Sequence, residues 1–128
     1  MAKKLLLSAL PGRLAICRLG PDERVPGWVF STPFCSITRT NEELSLIVPE
    51  ERVSPSWKVD KGWCYFKVLG RVDLSLTGVL ASLSVPLAQA RVSIFVISTH
   101  DTDYLLVRGR DFDRAREVLA EHGHRFNP

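Results

Sequence analysis

Two stretches of helical periodicity limit what this chain can fold into. Val79, Leu80, Leu83, Leu87 and Ala90 share one helical spacing, and Ala115, Val118, Leu119 and His122 share another. Each set lines its apolar side chains along one helix face. Around them the apolar residues come in short runs rich in β-branched and aromatic side chains: 63–69 (WCYFKVL), 92–98 (VSIFVIS) and 104–108 (YLLVR). Such runs read as strands. A brief strand at 124–126 would close the set. The order is β-α-β-β-α-β, the ferredoxin-like arrangement of the α+β class. Gly70 to Gly78 reads as a loop, and Thr99 to Asp103 as a polar turn between strands. Pro86 removes a helical donor and should kink the first helix near its last turns. Asp111 is a natural N-cap for the second helix, and Gly123 fits the position just past its end.

The first half has the strands without the helices. Residues 3–10 and 13–19 read as two strands joined by the turn Pro11-Gly12, and 34–39 and 44–48 as two more around the polar turn Thr40-Asn41-Glu42-Glu43. Pro49-Glu50-Glu51 can open a short helical turn, which Pro55 limits. The boundary between halves is expected between Pro55 and Gly62. A shift of 59 residues lays Thr40 on Thr99, Leu46 on Leu105 and Val48 on Val107, with Glu42 on Asp101, Ile37 on Val96 and Ile47 on Leu106. The overlap predicts a duplicated strand–turn–strand unit.

Charge and cysteine content narrow the functional classes. The net charge is +3, with nine basic and seven acidic residues in 1–62 and eight and seven in 63–128. No run of like charge exceeds two residues, so the basic stripe of a nucleic-acid binder is missing. Cys17, Cys35 and Cys64 are odd in number and widely spaced, which predicts reduced thiols and neither a disulfide framework nor a zinc site. Lys3-Lys4 before Leu5-Leu6-Leu7 resembles the start of a signal peptide, but Pro11-Gly12 breaks the run short of the ~7–15 apolar residues required. No stretch approaches the ~18 apolar residues of a membrane span. A soluble, cytoplasmic protein is expected, without metal or cofactor.

The runs Gly70 to Gly78 (GRVDLSLTG), Leu87-Ala88 and Ile97 to Val107 (ISTHDTDYLLV) closely resemble the bacterial ACT-domain proteins related to the CASTOR arginine sensors. Thr40-x-Glu42-Glu43-Leu44-Ser45-Leu46-Ile47-Val48-Pro49-Glu50 in the first half matches as well. The resemblance implies two ACT-like halves packed together: a degenerate one over 1–60 that lacks its first full helix, and a complete ACT domain over 61–128. It also implies a small-molecule ligand, an amino acid, bound through Asp73, Thr77, Gly78, Thr99 and Asp103, and the internal repeat adds Ser36 to Thr40 as an expected opposite wall. The chemistry is consistent. The loop ending at Gly78 leads into a helix N-terminus, whose unpaired N–H groups and positive dipole end suit a carboxylate. Asp73 or Asp103 can accept charge-assisted hydrogen bonds from an ammonium group. The implied partner is a second copy of the chain, as a homodimer, or another protein, with no nucleic acid and no membrane.

The same residues have a purely structural reading. Asp101, Thr102 and Asp103 are common turn formers, and Asp73, Ser75 or Thr77 could simply cap the helix. Trp28, Trp57 and Trp63 fit a core, and His122 and His124 sit near a helix C-terminus, where the dipole favours histidine. A protein-interaction module with a vestigial pocket is thus an alternative. An RNA-binding ferredoxin-like domain, with Tyr65, Phe66 and Phe95 on the sheet, is another, although the arginines do not alternate with those aromatics. No enzyme is expected. Cys64 and His100 could be imagined as a nucleophile and base, but Cys64 falls inside an apolar strand, and no H-E-x-x-H, G-x-S-x-G or phosphate-binding glycine loop occurs.

Overall fold

A computed structural model describes residues 4–69 and 78–127. In chain order the strands are β1 (Leu6–Ala9), β2 (Leu14–Leu19), β3 (Ser36–Arg39), β4 (Leu44–Pro49), β5 (Lys58–Val68), β6 (Ile94–Ser98), β7 (Asp103–Arg108) and β8 (Arg125–Phe126), with helices α1 (Val79–Gln89) and α2 (Phe112–Glu121). The chain groups into two compact units, Gly12–Trp63 and Met1–Pro11 with Cys64–Pro128, so one is inserted between two strands of the other.

In the Met1–Pro11 and Cys64–Pro128 unit, β6 pairs with β7, β7 with β5, β5 with β1 and β1 with β8. The β-α-β-β-α-β order read from the sequence is present, with one addition. The N-terminal strand β1 runs antiparallel to β5, Leu7 opposite Val68, and parallel to β8. The expected hairpin between residues 3–10 and 13–19 does not form. β2 pairs instead with β4 and β5. Leu7 explains the difference, because it is buried among Phe66, Val68, Leu83, Leu105 and Leu119 and belongs to their core. Period-two burial at Phe66 and Val68 and at Leu105 and Val107 puts one sheet face under Leu83 and Leu87 of α1 and Ala115 and Leu119 of α2. Phe66 stacks on Phe112 at 5.3 Å between centroids and meets Phe126 edge-on at the same separation.

Helix α2 ends in a Schellman motif. Gly123 has φ 89°, its N–H bonds the Ala120 carbonyl, and the His124 N–H returns to that of Leu119. The other end departs from expectation. Asp111 occupies the N-cap position without capping through its side chain, and a 3₁₀ turn, Gly109–Asp111, leads in instead.

The Gly12–Trp63 unit has no α-helix. Ala15, Cys17 and Leu19 of β2 and Leu44, Leu46 and Val48 of β4 alternate into one core, which Val29 enters from a 3₁₀ turn at Gly27–Ser31. Trp28 and Trp57 stack against that core at 6.1 Å, with the Arg52 guanidinium 5.0 Å over the Trp28 ring. The stretch taken from sequence as a boundary is already strand from Lys58. A bulge there, where Leu14 faces Trp63 but Ile16 faces Asp60, holds Gly62 at φ 88° with its N–H on the Glu50 carboxylate.

The duplication is visible in register. Ile37 faces Leu46 as Val96 faces Leu105, and Thr38 faces Ser45 as Ile97 faces Tyr104. Each hairpin then leads into a 3₁₀ turn, Glu50–Arg52 in one and Gly109–Asp111 in the other, at the same offset.

Candidate functional site

Helix α1 opens at Gly78, whose φ of 82° is a left-handed conformation that glycine adopts without strain. A Cβ there would meet no described atom within 4 Å, so among the described residues only the backbone angle calls for glycine. No side chain of the described residues caps this end. The Ser82 N–H bonds the Gly78 carbonyl at 2.9 Å, and the N–H groups of the first turn ahead of it have no helical acceptor. The result is a concentration of donors at the positive end of the helix dipole.

The second element is the β6–β7 hairpin. Thr99 closes its turn twice over: the backbone N–H reaches the Thr102 carbonyl at 2.8 Å, and Oγ1 accepts from the Thr102 N–H at 3.2 Å while donating to that carbonyl at 3.1 Å. Thr40 makes the matching contacts to Glu43 in the other hairpin. Thr102 is buried and donates from Oγ1 to the Val68 carbonyl at 2.7 Å, joining the turn to the last residue of β5. His100 and Asp101 form an exposed pair at 2.9 Å.

Asp103 follows directly, opposite Ser98, and is 9% exposed. It lies two residues before Leu105 and four before Val107, and so on the strand face that the helices cover. Its counterpart in the duplicated hairpin is Leu44, a fully buried core residue. One repeat thus places leucine where the other places a carboxylate. Burying a charge is costly unless something pairs with it.

The family profile of the ACT domain matches residues 58–121. This chain belongs to the ACT-domain family. A second profile, for an N-terminal domain, matches residues 12–56. The human protein CASTOR3P is 30% identical over 131 residues, covering 89% of this chain and 79% of its own length. The human cytosolic arginine sensor for mTORC1 subunit 1 is 30% identical over 99 residues, and the match spans 30% of that protein. Among solved structures, a protein from Agrobacterium tumefaciens superposes with a TM-score of 0.93 at 38% identity, covering 98% of this chain and 94% of its own. The regulatory subunit of aspartate kinase from Thermus thermophilus has the same fold, with a TM-score of 0.64 at 8% identity over 94% of this chain and 99% of its own. The ACT protein is therefore of the CASTOR-like type.

Thr99 and Asp103 flank one turn of this ACT protein, and Gly78 opens α1 in the same unit. Asp73 and Thr77 lie outside the described residues. Ser36 opens β3 in the Gly12–Trp63 unit, opposite Ile47. A shallow groove of about 200 Å³ in that unit is lined by Ile16, Arg18, Glu43, Ser45, Lys58 and Asp60 and contains none of the expected residues. Among the described residues no group of three or more His, Cys, Asp and Glu is placed to hold a metal. Nor is any helix among them long and apolar enough to cross a membrane. His124, expected only to sit near a helix C-terminus, is 4% exposed, and both ring nitrogens are engaged.

Proposed function

We propose that this chain is a cytoplasmic regulatory ACT module, not an enzyme, that binds a free amino acid in its Met1–Pro11 and Cys64–Pro128 unit. Asp103 carries the reading, as a nearly buried carboxylate that replaces the core leucine of its own repeat. A carboxylate kept there at the expense of apolar packing suits an ammonium ligand. The ligand carboxylate is assigned to the first-turn N–H groups of α1, with Asp73, Thr77 and Gly78 on the approach. Thr99 contributes by closing the turn that presents Asp103. Ligand binding would act through self-association or a protein partner. A homodimer through β6 fits, because among the described residues β6 pairs with β7 alone.

The test is a thermal-shift screen of the twenty amino acids, run in parallel on Asp103→Leu. That variant installs the side chain already carried at Leu44, so it should fold at least as well as the wild type. Ligand at ~100 times its Kd stabilises by about 2.7 kcal/mol, a shift of several degrees for a chain of this size. One or a few amino acids should raise the melting temperature of the wild type and not that of D103L. No shift with any of the twenty, or an equal shift in the variant, would defeat the assignment. Sedimentation with and without the active amino acid then reads the change in assembly.

A further inference from the structure

Pro86 creates a defect that the chain has to repair. In α1 the N–H of residue 86 would bond the carbonyl of Ser82, and proline has no N–H. The orphaned carbonyl is not left empty: His124 Nε2 lies 2.9 Å from it. The other ring nitrogen is engaged too, since Nδ1 accepts from the Leu5 N–H at 3.1 Å. A carbonyl can only accept and an amide N–H can only donate, so the proton sits on Nε2 and the lone pair on Nδ1. The rest of Leu5 is held by the same segment, because its carbonyl accepts from the Arg125 N–H at 2.9 Å. The Schellman turn at Gly123 aims the ring, by returning the His124 N–H to Leu119.

We propose that His124 is a positioning residue for the start of α1. Ser82 is the pivot. Its N–H bonds the Gly78 carbonyl, its Oγ donates to the Val79 carbonyl at 2.7 Å, and its own carbonyl is held by the histidine. One buried imidazole thereby ties the first turn of α1 to residue 5 and to the chain end beyond α2. The link to ligand binding rests on the assignment of that first turn to the ligand carboxylate; the clasp itself does not.

The test is a double-mutant cycle between His124→Ala and Pro86→Ala, read by denaturant unfolding of the full chain. Pro86→Ala restores an N–H that can take the Ser82 carbonyl, so the histidine donor becomes redundant. His124→Ala should raise the unfolding constant about tenfold more in the wild type than beside Pro86→Ala, the effect of stranding a buried carbonyl, while the lost Leu5 acceptor and the lost packing of the ring are common to both backgrounds. Equal costs in the two backgrounds would overturn the proposal. If His124→Ala does not fold, His124→Phe takes its place in the cycle, because a phenyl ring fills the same space but cannot donate to Ser82. Nitrogen-15 NMR of the wild-type ring supplies a readout free of mutation: the Nε2–H tautomer is expected, and an Nδ1–H tautomer would also overturn it. Hydrogen exchange at the Ser82 amide should quicken in the His124 variant more than at the His122 amide, whose bonds to Val118 and Leu119 lie within α2. A non-additive cycle with a blank amino-acid screen would keep the clasp and remove the ligand. An additive cycle with a positive screen would do the reverse.

Discussion

Cys17 shows how a position in the fold sets chemistry that the residue type leaves open. Its side chain is 1% exposed in the β2–β4 core, and burial pushes the thiol up to about 11 against the smaller opposing pull of Lys61. The folded chain holds this proton to higher pH than the unfolded one. The associated stability is complete below the ordinary thiol range and is lost as pH rises through about 9 to 11. A rise of that size corresponds to roughly 3 kcal/mol. Burial raises Tyr65 as well, with Tyr104 adding to it, so the wild type loses stability at alkaline pH from more than one group. Cys17→Ala should flatten the pH 9–11 limb of an unfolding curve without abolishing it, and an unchanged slope would refute the cysteine contribution. Asp103 shows what could be read beforehand. The family resemblance alone pointed to it, since its turn reads equally well as structural, and its burial and the contrast with Leu44 needed coordinates. His124 was out of reach, because its role depends on residues 5, 82 and 124 meeting through the fold.

Among elements, periodicity located both helices and most strands to within a few residues, because most bury one face and the burial pattern is written in the side chains, but β5 begins at Lys58, inside the stretch expected to be a boundary. Periodicity did less well at element ends. Helix α1 terminates with Arg91 at φ 61°, in the place glycine fills after α2, and the Val92 N–H still returns to Leu87 to complete a Schellman motif. A side chain in the left-handed region costs about 1 kcal/mol. Arg91→Gly should therefore leave the fold intact and stabilise it by up to about 1 kcal/mol, less the extra entropy that glycine gives the unfolded chain. Loss of stability in chemical denaturation would mean that the arginine side chain has a role the backbone angle does not reveal. The two hairpins offer a matched comparison. Thr40→Val and Thr99→Val remove the same hydroxyl from the same turn, so each should cost about 0.5–1.5 kcal/mol. Strongly unequal costs would point to a second task for the threonine that loses more.

At the scale of the whole molecule, strand pairing was the least legible feature. Neighbouring strands joined by a tight turn usually pair, and Pro11-Gly12 supplied the turn. Yet Leu7 meets Val68, some sixty residues away, and its side chain is buried in the core built from residues beyond Trp63. No local pattern records such a choice, since the gain comes from apolar burial against residues far along the chain. The interleaving has a measurable consequence. Leu7 is 1% exposed, and Leu7→Ala should cost about 2–5 kcal/mol, the usual range for a buried leucine. Although the mutation precedes Gly12–Trp63 in sequence, the damage should appear beyond it. Hydrogen exchange should quicken first in β8, where the Arg125 and Asn127 amides bond Leu5 and Leu7, and in α1 and α2, whose Leu83 and Leu119 share the core. Protection across β2 and β4, built on a separate core, should hold until global unfolding. Exchange that rises first in β2 and β4 would mean that the N-terminal strand supports the unit next to it in sequence, and that the pairing with β5 and β8 contributes little to the fold.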